Sequence, residues 1–241
     1  MFLLIMQIIN FLDIKFTDIS YLDLKKLLKK GGLVVLPSGP GLSTLRNDLN
    51  YKIALQNSDI VLFDSGFFCI LLSVLKNIKV KKFSGYKLLK NLIKDLKKSK
   101  KKLFLIDPDQ NQSKINKKYL DLKNLSQYVA PQYRRKKIED KKLLNILITQ
   151  KPEYIIINLG GNTQEVLGYY LKQKLKYKPI IICSGAAISY FTKEQAPISD
   201  LIDNFYLGWL FRILLNPLIF LPRYISAIKL FFIVLNNKGC C

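Results

Sequence analysis

Glu153–Glu165 reads EYIIINLGGNTQE, and the order of its residues decides the fold class. The apolar run Tyr154–Leu159 ends in two glycines, after which Asn162, Thr163, Gln164 and Glu165 open a helical pattern. A buried strand that passes through glycines into a polar helix start is where α/β enzymes place ligands. The backbone comes close there, and free N–H groups favour anionic groups. The pattern recurs along the chain. Leu33–Pro37 runs into Ser38 and Gly39, Ile60–Phe63 into Asp64, Ser65 and Gly66, and Ile181–Cys183 into Ser184 and Gly185. Four run ends of this kind point to one shared crevice.

Working outward, strands are predicted over Leu3–Ile9, Leu33–Leu36, Ile60–Phe63, Leu103–Ile106, Tyr154–Leu159 and Ile180–Cys183, with a further one at Leu125–Val129. These runs are short and continuously apolar, as strands buried on both faces are. Helical periodicity lies between them, at Ile19–Lys30, Thr44–Asn57, Phe67–Asn77, Tyr86–Lys98, Ile138–Gln150 and Gln164–Tyr177. Alternating strands and helices predict an α/β, Rossmann-like, mostly parallel sheet with helices on both faces. Asp107–Lys118 reads as a loop. Past Pro197 the strand spacing stops, and Pro217 and Pro222 are expected to break the apolar remainder into short helices. The expected organisation is an α/β domain over residues 1–197 and a C-terminal helical appendage with its tail over 198–241. The appendage reads as a helical pair covering the core, as an amphipathic segment lying on a membrane or closing over the site, or as both.

The chain has 241 residues and is 49% hydrophobic, ample for a core. Its formal net charge of +22 invites a nucleic-acid partner. The lysines, however, spread over helix-like segments as solvated faces, without the interleaved Arg and aromatic residues of a nucleic-acid surface. An anionic membrane surface is the better electrostatic partner. The cluster Lys97, Lys98, Lys100, Lys101 and Lys102 reads as the solvated end of a helix. Cys69 and Cys183 sit in apolar runs and read as core; Cys240 and Cys241 form either a tail or a lipidated pair. With no His and no second close Cys pair in the body of the chain, zinc is not expected. Met1–Phe11 lacks a basic start and a small-residue cleavage site, so a first strand is expected there rather than a signal peptide. No apolar stretch is long enough for a membrane-spanning helix.

Asp64 closes a strand before Ser65–Gly66, where a carboxylate can serve as a general base or as ordinary turn chemistry. Gln164 and Glu165 open a helix, where Glu165 can serve as a cap or as a ligand. The Ser38–Gly39 loop offers backbone donors but is neither a P-loop nor GxGxxG. Without His there is no Ser/His/Asp triad.

The order of these landmarks resembles the WecG/TagA/CpsF family, glycosyltransferase family 26, from about Phe11 to Tyr224. Leu36-Pro37-Ser38 stands at that family's Thr-Pro-Asn turn and Asp64 at its Asp-Gly. Lys82 and Gly85 stand at its Arg and Gly. Gly160-Gly161-Asn162-Thr163-Gln164-Glu165 matches its Gly-x-Pro-x-Gln-Glu, with Asn162 at the Pro. Gly185 stands at the Gly-rich strand end and Gln195-Ala196-Pro197 at Arg-Ala-Pro. Leu207-Gly208-Trp209, Arg212, Pro217 and Arg223-Tyr224 follow the Leu-Glu-Trp-x-x-Arg helix. This chain departs from the pattern at Leu36, Ser38, Lys82, Gln195 and Gly208.

The resemblance implies an inverting, metal-independent transferase with no cofactor. It would move an N-acetylhexosamine, commonly N-acetylmannosamine, from a UDP-sugar to a sugar on a polyprenyl diphosphate. Asp64 would be the catalytic base. Ser38 and Gln164 would hold the donor, with Gly85 and Gly185 beside them, and Lys82, Arg212 and Arg223 would neutralise the diphosphate. The expected place is the inner face of the cell membrane, as a peripheral protein, alone or as a homo-oligomer. Two other readings stay open: a catalytically reduced homologue that binds a nucleotide or lipid-linked sugar, and a basic peripheral membrane or nucleic-acid-binding protein.

Overall fold

A computed structural model describes residues 6–133, 138–192, 208–215, 217–237 and 239. Eight strands form one sheet in the order β1-β2-β4-β3-β8-β7-β5-β6. They are β1 (Met6–Phe11), β2 (Ile14–Ile19), β3 (Gly32–Val35), β4 (Ile60–Leu62), β5 (Leu103–Asp107), β6 (Leu125–Val129), β7 (Tyr154–Ile157) and β8 (Ile180–Cys183). Only the β1–β2 pair is antiparallel. Their hairpin turns through Leu12 and Asp13, both at positive φ. The expected first strand therefore runs on to Phe11 and gains a partner that the apolar pattern did not mark. Residues 1–5 lie outside the described part.

The central strands are buried on both faces, and alternate residues feed two cores. Leu33, Val35, Ile155, Ile157, Ile181 and Cys183 face one side. Val34, Leu36, Tyr154, Ile156, Ile180 and Ile182 face the other. The first core is closed by α3 (Leu49–Gln56), α4 (Gly66–Lys76), α7 (Lys141–Gln150) and α8 (Thr163–Lys174). The second is closed by α1 (Tyr21–Leu28) and α5 (Gly85–Lys97). On α5 Leu88, Leu89, Leu92, Ile93 and Leu96 are buried, which leaves its lysines largely on the water side. Cys69 and Cys183 are buried free thiols.

Two expectations are corrected. Asp107–Lys118, read as a loop, contains the helix α6 (Gln110–Leu120), capped by Asp109, whose carboxylate accepts from Gln112 N–H. No apolar stripe announced it because its buried residues are Ser113, Asn116 and Leu120. The polar ones face a buried charge: Asp107 accepts from Asn116 Nδ2 at 2.7 Å, Asn158 Nδ2 at 2.8 Å and Gln127 Nε2 at 3.2 Å. The C-terminal part contains α9 (Gly208–Leu215) and α10 (Pro217–Asn236). Pro217 opens α10, but Pro222 lies inside that helix without ending it. Being near the helix start, Pro222 removes one ladder bond, to the carbonyl of the exposed Leu218.

On its inner side α10 buries Ala227, Leu230, Ile233 and Val234 and packs on α4 and on the short helix α2 (Gly39–Leu42). Its outer side carries Leu218, Leu221, Ile225, Ile228, Phe232 and Leu235, all exposed, with Leu218 at 92%. Among the described residues no helix is long and apolar enough to cross a membrane.

Candidate active site

β4, β3, β8 and β7 are adjacent in the middle of the sheet, and their C-terminal ends are the four run ends singled out above. Together they floor one open crevice of about 220 Å³. Ser38, Asp64, Lys82, Gly85, Gln164, Gly185 and Arg223 all line it. Arg212 stands on α9, but its side chain lies outside the described part, as do Gln195 and Leu207.

Asp64 follows β4, and its Oδ1 accepts the backbone N–H of Gly85 at 2.8 Å. Gly85 is the first residue of α5. A Cβ there would lie 3.0 Å from Ala187 Cβ and 3.2 Å from the Ser184 carbonyl. The glycine thus lets the helix start press against the wall formed by Ser184–Ala187, with the Asp64 carboxylate alongside. Lys82 enters from the loop before α5.

Ser38 is the N-cap of α2; its Oγ accepts from Gly41 N–H at 3.3 Å. Opposite it runs the Gly160–Glu165 turn. A Cβ on Gly160 would meet nothing within 4 Å, so this backbone faces open crevice. Asn162 has φ +70°, a value no proline ring permits, so this chain takes its own path where the resemblance expects Pro. The Asn162 side chain pins that path by donating to Thr44 Oγ1 at 2.9 Å and to Asp48 Oδ2 at 3.0 Å.

Gln164 is almost fully buried, at 2% exposure. Its Oε1 accepts from Gly185 N–H at 2.7 Å, and its Nε2 donates to Glu165 Oε1 at 3.0 Å. Gly185 sits at φ +60°, in the left-handed region that glycine adopts freely. Glu165, at 1% exposure, caps the helix from within the core, its carboxyl accepting the backbone N–H of the N-cap residue Asn162. Burial pushes its carboxyl up to about 7, helped slightly by the Asp64 charge and opposed by hydrogen bonds from backbone N–H groups and Gln164.

Several lining residues went unmarked as site residues by the sequence reading: Tyr86, Ser184, Tyr190, Trp209, Phe220 and Tyr224. Tyr86 follows a marked glycine, and Trp209 and Tyr224 belong to the motif at the C-terminal helices. Tyr190 carried no signal beyond an apolar neighbourhood. Trp209 packs edge-on to Phe67 at 5.9 Å and tilted on Tyr224 at 5.8 Å, which holds α9, α4 and α10 together at the crevice rim. Among the described residues no group of three or more His, Cys, Asp and Glu side chains is arranged to hold a metal ion.

A carboxylate held by a backbone N–H, a glycine turn open to a ligand, and the cations Lys82 and Arg223 on one crevice suit transfer from an anionic leaving group. The model of the WecG/TagA/CpsF glycosyl transferase family matches residues 9–239. The chain belongs to this family. It is 24% identical over 219 residues to the N-acetylglucosaminyldiphosphoundecaprenol N-acetyl-beta-D-mannosaminyltransferase of Bacillus subtilis (strain 168), covering 86% of this chain and 82% of that protein. As a WecG/TagA/CpsF member the protein is a glycosyltransferase, and the crevice is its candidate active site.

Proposed function

We propose that the protein is an inverting transferase that moves an N-acetylhexosamine, N-acetylmannosamine first among them, from a UDP-sugar. The acceptor is a sugar on a polyprenyl diphosphate, and the product feeds cell-surface polysaccharide synthesis. The observation that carries this reading is the convergence of Asp64, Lys82, Gln164 and Arg223 on one crevice in a chain of this family.

Asp64 takes the proton of the acceptor hydroxyl. Its Oδ1 is held by Gly85 N–H, so the carboxylate enters the reaction already aimed. The acceptor oxygen bonds to the anomeric carbon as the bond from that carbon to the UDP oxygen breaks, with inversion. The electron pair leaves with UDP. Lys82 and Arg223 neutralise the charge that grows on the diphosphate, and Arg212 joins them from α9. Lys82 acts as a point charge where the family pattern has the planar fork of Arg. With these cations in place the reaction runs without a metal ion or cofactor. Ser38, Gly160 and Gln164 bound the donor side, and Gly185 braces the Gln164 amide.

The exposed apolar row on α10 lies on the inner leaflet of the cell membrane, where the net charge of +22 favours anionic lipid and where a polyprenyl-linked acceptor is found. The protein is then peripheral.

The test is Asp64→Asn. UDP binding by calorimetry should persist while transfer to a synthetic polyprenyl-diphosphate sugar falls by a factor of about 10³ or more. Wild-type turnover should be unchanged by EDTA. Full activity in the variant would remove Asp64 from the mechanism. UDP binding by the wild type with no transfer to any acceptor would favour the reduced-homologue reading, which the departures at Ser38, Lys82, Gln195 and Gly208 motivate.

A further inference from the structure

We infer that Glu165 is a positioning residue, which fixes the Gln164 amide against Gly185 and so sets the crevice wall beside Asp64. The inference rests on the UDP-sugar reading only where it concerns the donor; the wall itself is a matter of hydrogen bonds.

Gln164 has one acceptor and two donor positions to dispose of. Gly185 N–H requires the oxygen on its side, which turns Nε2 toward Glu165 Oε1. Both ends of the amide are thereby assigned, and its second Nε2 proton is the part left for a ligand. Gly185 follows Ser184, whose carbonyl Gly85 approaches closely, and Gly85 N–H holds Asp64. Glu165, Gln164, Gly185 and Gly85 therefore make a continuous brace from β7 through β8 to the general base at β4.

A plain structural role would be filled more cheaply by an apolar side chain, because burying a carboxyl is costly unless it is well bonded. Instead Glu165 is buried at the start of α8, near enough to Tyr51 of α3 and Cys183 of β8 for its charge to act on both, with Asp64 the charged group that raises it. Its Oε2 is buried without a hydrogen-bond partner, and the Tyr51 hydroxyl is likewise buried and unpartnered. The carboxyl also accepts backbone N–H groups of Asn162 and of Glu165 itself, so it ties the start of α8 to the Gln164 amide that it grips.

Four variants decide the matter: Glu165→Gln, Glu165→Ala, Gln164→Ala and the double alanine. The first readout is the Gly185 amide resonance in ¹⁵N NMR, which needs no ligand. Glu165→Ala should shift it in the direction that Gln164→Ala does, and Glu165→Gln, whose amide oxygen can still accept, should leave it near wild type. The second is the dissociation constant for UDP. Each alanine should weaken it by about 10-fold, and the double variant should be within about 2-fold of Gln164→Ala, since a residue acting through another adds nothing once that other is gone. Asp140→Ala, which removes the α7 cap outside the crevice, controls for general loss of stability. An unmoved Gly185 resonance in Glu165→Ala, additive losses in the double variant, or a Glu165→Gln as damaged as the alanine would overturn the inference. If the wild type does not bind UDP, the donor reading fails, and the Gly185 resonance still decides whether Glu165 positions the wall.

Discussion

Asp64 and Gly85 are joined by a 2.8 Å hydrogen bond from the backbone of the second to the carboxylate of the first, across 21 residues of sequence. The bond exists only because α5 starts hard against the Ser184–Ala187 wall. Gly85→Ala places a methyl group 3.0 Å from Ala187 Cβ and 3.2 Å from a backbone carbonyl, so the helix start must retreat. We expect a stability loss of about 1–2 kcal/mol by urea unfolding. Transfer should fall by a factor of about 10 or more, since a base displaced by a fraction of an ångström is misaimed. Unchanged turnover would show that the Gly85 contact does not aim Asp64.

Gly160 gives the opposite kind of test. Its added Cβ meets no protein atom, and its φ is not in the left-handed region, so Gly160→Ala should fold with an unchanged Tm. The methyl group enters the crevice where the proposed donor would approach the backbone. UDP affinity should drop by about 10-fold or more, as a displaced ligand loses its contacts to free N–H groups. Full UDP affinity would move the donor away from this turn.

Glu165 makes stability depend on pH. Its carboxyl sits near 7 in the folded chain against an ordinary value of 4.5, with burial the main cause. Between those values the folded state holds a proton that the unfolded state has released, so stability falls as pH rises through that window. The loss is on the order of 3 kcal/mol between pH 4.5 and 8. Glu165→Gln does not titrate. Urea unfolding at pH 5, 6.5 and 8 should therefore show the variant gaining on the wild type as pH rises. A parallel pair of curves would mean that Glu165 titrates at its ordinary value.

Asp107 is another buried carboxylate, fully enclosed and gripped by three side-chain amides from α6, β6 and the residue after β7. Asp107→Ala strands those donors and should cost about 3 kcal/mol. Asn158 also follows β7 directly, just before Leu159 and Gly160, so hydrogen exchange at the Gly160–Glu165 turn should quicken in the variant. Protection unchanged there would confine the network to the β5–β6 edge.

The parallel centre of the fold was plain in the chain because strands covered on both faces leave unbroken apolar runs, and the residues just past them had to line the crevice. Ser38, Asp64, Gln164 and Gly185 were readable for that reason. What could not be read was anything held by a partner distant in sequence. The helix at Gln110–Leu120 hides an apolar signal because its inner face answers Asp107 with Ser113 and Asn116. The hairpin at Leu12–Asp13 uses residues that do not announce a tight turn. Glu165 looked like a helix-start charge, and only the folded chain shows that it is buried. Tyr190 reached the crevice through a 3-10 helix, Gly185–Tyr190, whose pattern resembled ordinary core.

The row Leu218, Leu221, Ile225, Ile228, Phe232 and Leu235 is spaced four and three residues apart along one side of α10, while Arg223 of the same helix lines the crevice. One rigid rod thus carries both the surface that seeks an apolar medium and a wall of the reaction chamber. If that side adsorbs to a membrane as proposed, encounters with an acceptor of the proposed lipid-linked kind take place in two dimensions. Turnover is then governed by molecules per unit area, and diluting the bulk solution at fixed coverage leaves it unchanged.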